Sequence, residues 1–227
     1  MVEAVLWLVP LGVGGNRAFM ASGCAAAAAA KGVSVTLLEI GRGLPNIGYY
    51  FSLDPPEYAA ASIDPSRLVT GSAGSCLQFV SCTGTEPLDR YDPRHGTVDS
   101  PHLFVIAFED ETEYRIIEDI GRRWMPSHGG HPDAVCAFGG PDDRIERQFF
   151  FDNVRKRHRD AFLLDLVNGS AAGKSGKADE TLSVPECLVS SWCKRVVPED
   201  PFFDDIVSNV LQVLSHRRRR AEGHATG

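Results

Sequence analysis

Residues 12–51 read GVGGNRAFMASGCAAAAAAKGVSVTLLEIGRGLPNIGYYF. A glycine-rich turn follows an apolar run at 4–10, opens an alanine-rich segment at 18–31, and leads to a second apolar run at 34–40 that contains Glu39 near its end. Glycines let successive backbone amides approach an anion, and the start of a helix carries the positive end of its dipole. Strand, glycine turn, helix and strand in this order therefore form a phosphate-binding layout. The turn nevertheless lacks a lysine followed by serine or threonine, the pair that grips phosphate and magnesium in such loops. Layout and chemistry disagree from the outset.

Outward from this stretch, further apolar runs at 77–82, 103–108, 134–138, 161–167 and 188–197 are expected strands. Most are continuous rather than alternating, as strands covered on both faces are. Helices are expected at 18–31, 111–124, 143–158 and 202–219, so strands and helices alternate along the chain. That alternation predicts an α/β fold with a mostly parallel central sheet and helices on both faces. The last helix has a defined start, with Asp200 as N-cap, Pro201 in the first helical position, and Asp204 and Asp205 near the positive end of the dipole. Its apolar stripe, Phe203, Ile206, Val207, Val210, Leu211 and Leu214, is expected to cover the protein's own sheet; membrane contact through 202–220 is the lesser reading. Segments 83–101 and 169–180 are expected loops, and 216–227 a basic, flexible tail to a single domain spanning 1–215.

The chain has 227 residues, 43% of them hydrophobic, enough for one domain with a sizeable core. A net charge of −7 supplies no overall field towards nucleic acid or anionic lipid, so no specific nucleic-acid partner is expected. The C-terminal run Arg217 to Arg220 is the candidate for a local basic patch. The first apolar stretch is too short to span a bilayer and follows Glu3 rather than a basic segment, which predicts a cytoplasmic protein. The six cysteines contain no CxxC pair and are expected to be reduced, most of them buried.

Particular residues carry a family resemblance. Lys31-Gly32 closes the helix, 35–40 forms the second strand, Gly43-Leu44-Pro45-Asn46 follows it, and Ser52-Leu53-Asp54-Pro55-Pro56 comes next. This resembles the MinD/ParA family of deviant P-loop ATPases, whose members carry a KGGVGKT turn, an alanine- and leucine-rich helix, and a strand ending in an acidic pair followed by GLPN or GLAN. The resemblance implies a three-layer α/β/α P-loop NTPase-like fold, ATP or ADP as ligand, a protein partner and a homodimer. It is good over 1–58, present over 160–214 and weak between.

Counted back from Gly32 without gaps, Gly14-Gly15-Asn16-Arg17-Ala18 stands against the family's GVGKT, with Arg17 at the lysine and Ala18 at the magnesium-binding hydroxyl. A second frame takes Gly12-Val13-Gly14 as the GVG and puts Gly15 and Asn16 at those two places. Both frames lose the hydroxyl, so magnesium loses its first protein ligand. Arginine is longer and planar, and it does not simply replace a lysine's point charge. Glu39 takes the place of the family's first aspartate and Gly41 that of the second. These changes argue against family-type hydrolysis and leave the backbone of Gly12–Arg17 as a weak nucleotide cradle.

The resemblance makes 103–108 the strand that presents the Walker B aspartate, with Phe108 or Glu109 in its place. Asp165, in Asp160-Ala161-Phe162-Leu163-Leu164-Asp165-Leu166-Val167-Asn168-Gly169, is a rival for that role. The preferred reading gives this segment the family's adenine-reading asparagine, Asn168, followed by the proline-acidic turn at Pro198-Glu199-Asp200. The lysine through which family members reach a partner's phosphates is replaced by Gly12 or Pro10, which weakens the case for an ATP-clamped dimer.

Other patterns are weaker. Gly169-Ser170-Ala171-Ala172-Gly173-Lys174-Ser175 ends like a phosphate loop but has three residues between its glycines where the motif needs four, and reads as a flexible loop. His128, His131, Asp133 and Cys136 are metal-capable, but no helix aims the imidazoles and no second ligand cluster accompanies them. A dinucleotide-binding Rossmann domain would put its third glycine at Arg17, too large for close helix–strand packing. The expectation is thus a degenerate MinD/ParA-like protein, regulatory or scaffolding, that binds nucleotide weakly or not at all. The alternative is a divergent ATPase in which Arg17 holds phosphate and Glu39 or Asp165 assists metal and water; a Rossmann protein is the lesser alternative.

Overall fold

A computed structural model describes residues 3–11, 16–41, 47–51, 69–70, 76–83, 102–108, 131–139, 144–168, 177–189 and 200–224. Within them the strands are β1 (Glu3–Leu11), β2 (Ser34–Gly41), β3 (Val69–Thr70), β4 (Cys76–Thr83), β5 (His102–Phe108), β6 (Ala134–Gly139), β7 (Phe162–Asn168) and β8 (Glu180–Val184). The helices are α1 (Arg17–Ala30), α2 (Ile47–Tyr50), α3 (Arg144–Arg157), α4 (Glu186–Val189) and α5 (Pro201–His224). The strands form one sheet in the order β3-β4-β2-β5-β1-β6-β7-β8. Every pairing is parallel except β3 with β4.

The continuous apolar runs have the expected cause. β6 is buried at every position, and β5 at all but His102. Alternate residues serve two separate core layers. Leu6, Leu8, Val35, Leu37, Val105, Cys136 and Leu164 pack with α1 and α5 on one face. Val5, Trp7, Val9, Ile106, Val135 and Leu163 pack with Phe150, Phe151 and Val154 of α3 on the other. This is the α/β, three-layer α/β/α arrangement with a mostly parallel central sheet.

α1 forms because small side chains let it press close to its neighbours. Most of its residues are buried, and Gly23 leaves room for a ring of α5: a Cβ there would lie 2.5 Å from Phe203. It ends in a Schellman turn, in which Gly32 (φ 78°) donates to Ala29 O and Val33 donates to Ala28 O. Asp200 caps α5 as expected, its Oδ1 accepting from Phe202 N at 2.9 Å. Phe202, Phe203, Ile206, Val207 and Val210 are buried in the α1 layer, so the apolar stripe covers the protein's own core rather than a membrane. No helix among the described residues is long and apolar enough to cross a membrane.

Two expectations are corrected. The strand expected at 188–197 begins instead within a short helix: Pro185 cannot donate to a ladder, and Leu188 N closes a turn onto Pro185 O at 3.0 Å. The edge strand lies earlier, at Glu180–Val184, the first residue of which falls in the segment expected as loop. Only Val184 of that strand is buried, so its sequence carries little apolar signal. The last helix also continues past 219 to His224. The helix expected at 111–124 lies outside the described residues, as do 84–101, 169–176 and 190–199.

Candidate functional site

The site expected from the sequence lies at the head of α1. Asn16 has extended backbone (φ −93°, ψ 92°) and caps the helix, its Oδ1 accepting from Phe19 N at 2.9 Å and its carbonyl from Met20 N at 3.0 Å. Its Nδ2 donates to the Tyr50 hydroxyl of α2 at 2.6 Å. Asn16 thus spends its oxygen on the helix cap and its amide on α2. Phe19 stands between the rings of Tyr50 and Phe203, edge to face with centroids at 5.6 and 5.9 Å.

Arg17, the next residue, turns inward. It is only 8% exposed, and its Nη2 lies 3.5 Å from Glu39 Oε1 near the end of β2. Glu39 is fully buried, and its Oε2 accepts the Ile47 N–H at 3.2 Å. Ala18 lies in the core, where it offers no hydroxyl. A carboxylate removed from water needs a cation and donors, and Arg17 with the α2 backbone supplies them. The first and last residues of α2 are therefore tied to β2 and to the head of α1 by two hydrogen bonds, Ile47 to Glu39 and Asn16 to Tyr50.

The second candidate acid stands elsewhere. In the register, Leu8 and Glu39 flank Ala107, and all three belong to the α1 face. Val9, Ala137 and Asp165 form a row one residue further on, where Val9 and Ala137 belong to the α3 face. Asp165 pairs there with Arg147 of α3, which also donates to Leu166 O at 3.2 Å. The structure therefore places Glu39 and Asp165 on opposite faces of the sheet, with β5, β1 and β6 between their strands. Burial pushes the Asp165 carboxyl above its ordinary range, against the opposing pull of Arg147. Glu39 and Asp165 do not meet at one centre.

β5, the strand expected to carry the Walker B position, runs directly between β2 and β1, and Phe108 at its end is buried on the α3 face. Asn168 ends β7 opposite Val184. Gly12, Gly14, Gly15, Glu109 and Pro198 lie outside the described residues. Of the metal-capable group, Cys136 is buried in the α1 layer, Asp133 accepts the Val5 N–H at 2.9 Å, and His131 meets His158 instead. Among the described residues no group of three or more His, Cys, Asp or Glu side chains converges for a metal. Burial raises the Cys24 thiol to about 12 and Cys136 well above its ordinary value, so both stay protonated and unreactive. Cys187 is free and exposed.

No protein-family model matches this chain. No curated protein does so either. Among solved structures it is similar to the MinD cell division protein of Aquifex aeolicus, at 15% identity and a TM-score of 0.47, with 97% of each chain covered. It is also similar to a chain of the MinC:MinD cell division protein complex of the same organism, at 14% identity and a TM-score of 0.44, covering 97% of this chain and 96% of that one. The strand order, register and layers described above establish the fold independently of these likenesses.

Sequence reasoning picked Asn16, Arg17 and Glu39 but missed Ile47 and Tyr50, which fasten them. The signal available was the pair Tyr49-Tyr50 just beyond a turn-forming Gly-Leu-Pro-Asn, where an aromatic hydroxyl can reach back. Arg147 was missed as well. It shares a helical stripe with Phe150, Phe151 and Val154, all buried, and an arginine on such a stripe signals a buried carboxylate partner.

Proposed function

We propose that this chain is a MinD/ParA-like P-loop protein in layout only: a non-hydrolysing regulatory or scaffolding protein whose phosphate-binding end is held by its own side chains. The observation that carries this is the buried Arg17–Glu39 ion pair at the head of α1. Arg17 stands at the position from which a P-loop cation would reach phosphate, and it is turned instead to a carboxylate of its own sheet. Glu39, which would have to approach a metal, is committed to Arg17 and to the Ile47 amide. Asp165 stands on the other face and adds nothing to this centre. Nucleotide, ATP or ADP, is left with the backbone amides of Gly12–Arg17 and binds weakly, without a magnesium ligand from the protein. Such a protein works by holding a protein partner or a second copy of itself in the cytoplasm.

A thermal-shift titration with ATP, with and without magnesium, run beside a phosphate-release assay, tests this reading. The expected result is no magnesium-dependent hydrolysis, and a shift at millimolar ATP that is small and the same with and without the metal. Magnesium-dependent hydrolysis that disappears in Glu39→Ala would overturn it in favour of a divergent ATPase.

A further inference from the structure

At the edge of the sheet formed by the strand starts, away from the head of α1, two imidazoles face each other. His131 Nδ1 and His158 Nδ1 are 2.8 Å apart, with the rings inclined at 68° and centroids at 5.1 Å. His158 follows the last turn of α3, its backbone N–H donating to Val154 O at 2.7 Å. Its ring is only 5% exposed and packs edge-on against Trp7 at 5.0 Å. His131 is exposed and lies just before β6. Two residues on, Asp133 donates to Val5 O at 2.9 Å, accepts the Val5 N–H on Oδ2 at 2.9 Å, and accepts Phe162 N on its carbonyl at 2.8 Å. One imidazole is thus fixed by the core and the other is carried on a backbone clamped to β1 and β7.

We propose that His131 and His158 form a two-imidazole site for a divalent transition cation of the zinc, nickel or cobalt class, completed by water. Two Nδ1 atoms at this separation share a proton, and once that proton is lost their two lone pairs can converge on one metal ion. Zinc–nitrogen bonds of about 2.0–2.1 Å in tetrahedral geometry set the donor nitrogens about 3.3 Å apart, so the pair must open by roughly half an ångström. His131, being exposed, supplies that movement by turning its side chain and leaves the remaining positions open to water. The C-terminal end of α3 favours positive charge beside His158. Of the nearby cations, Arg155 is held in a fork by Asp179, with both contacts at 2.8 Å, while Lys156, Arg157 and Arg159 are exposed, as is Asp160. Imidazole donors without a thiolate select this class of metal over calcium or magnesium. The sequence cluster of His131, Asp133 and Cys136 is therefore not the ligand set, because Asp133 is spent on β1 and Cys136 lies in the other core layer.

Calorimetric titration of the full chain with Ni²⁺, repeated with Co²⁺ and followed by visible absorption, tests the proposal. The expected result is about one equivalent bound at neutral pH. The Co²⁺ spectrum should carry d–d bands without thiolate charge transfer. His131→Ala, an exposed position that leaves the fold intact by circular dichroism, should lower the affinity by about tenfold or more. His158→Gln should do the same where it folds. Absence of binding at millimolar Ni²⁺, affinity unchanged in His131→Ala, or a thiolate band that survives that substitution would each overturn the proposal.

Discussion

Two buried arginine–carboxylate pairs stand on opposite faces of one sheet, and they differ in what surrounds them. Arg17 and Glu39 meet at the head of α1, where the second carboxylate oxygen accepts the Ile47 amide and the contact is 3.5 Å long. Arg147 and Asp165 meet inside the α3 layer, where the guanidinium also serves the Leu166 carbonyl and Asp165 Oδ2 has no hydrogen-bond partner among the described residues. The first pair ties α2 to the end of β2 and the head of α1. The second joins helix to strand within the core. An acidic residue in an apolar strand is therefore not in itself a candidate for metal or water; the face it occupies and the level it reaches decide what it can do.

The largest effect is expected from breaking the inner pair on its acidic side. Asp165→Leu takes the carboxylate from a buried guanidinium that cannot lose its proton, and should cost about 3–5 kcal/mol in chemical denaturation. Arg147→Met costs less, because the remaining carboxyl can protonate. The double variant Asp165→Leu with Arg147→Met removes both charges and should recover most of the loss. A cost below about 1 kcal/mol for Asp165→Leu would mean that the pair is solvated and that the contrast between the two faces is false.

Glu39→Gln probes the outer pair and is expected to cost less, about 1–3 kcal/mol. Glutamine retains an oxygen for the Ile47 amide and loses the charge facing Arg17. The same variant releases Arg17, so inorganic pyrophosphate should bind it more tightly than it binds the native chain, by about tenfold if one charge-assisted contact is gained. Unchanged pyrophosphate affinity in a folded Glu39→Gln protein would show that Arg17 is not what closes the phosphate end. Isothermal titration beside the denaturation curve supplies both readings.

The legibility of the two pairs in the sequence differs for a physical reason. The strands with both faces buried, such as Ala134–Gly139, announce themselves as unbroken apolar runs, and the end of α1 and the start of α5 announce themselves through Gly32 and Asp200. The edge strand Glu180–Val184 gives no such signal because only its last residue is buried. Arg17 and Glu39 were legible as altered motif positions, but that they would join each other was not, since a sequence pattern fixes spacing and not the direction of a side chain. Asp165 stands beside Glu39 as a candidate in the sequence because a local resemblance carries no information about which face of a sheet it occupies. One-residue parity settles that face, and the parity became readable only once Val9, Ala137 and Asp165 were aligned in register.

The smallest effect is a slope with pH, and it distinguishes burial from pairing at Asp165. Burial raises this carboxyl above its ordinary value of 3.8 while Arg147 pulls it down, and burial prevails. At pH below the unfolded value both states hold the proton, and Asp165 contributes nothing to the slope. As pH rises through the window between the unfolded and the folded values, the unfolded chain gives up its proton first. Stability attributable to this residue is therefore lost with rising pH, by at most about 1.4 kcal/mol per pH unit. Other carboxylates impose slopes of their own, so the measurement is a difference: denaturation of the native chain and of Asp165→Asn across the acidic range. The native chain should lose stability relative to the variant as pH rises. If it gains stability instead, the Arg147 charge outweighs desolvation, the folded value lies below 3.8, and the inner pair behaves as an ordinary ion pair like the outer one.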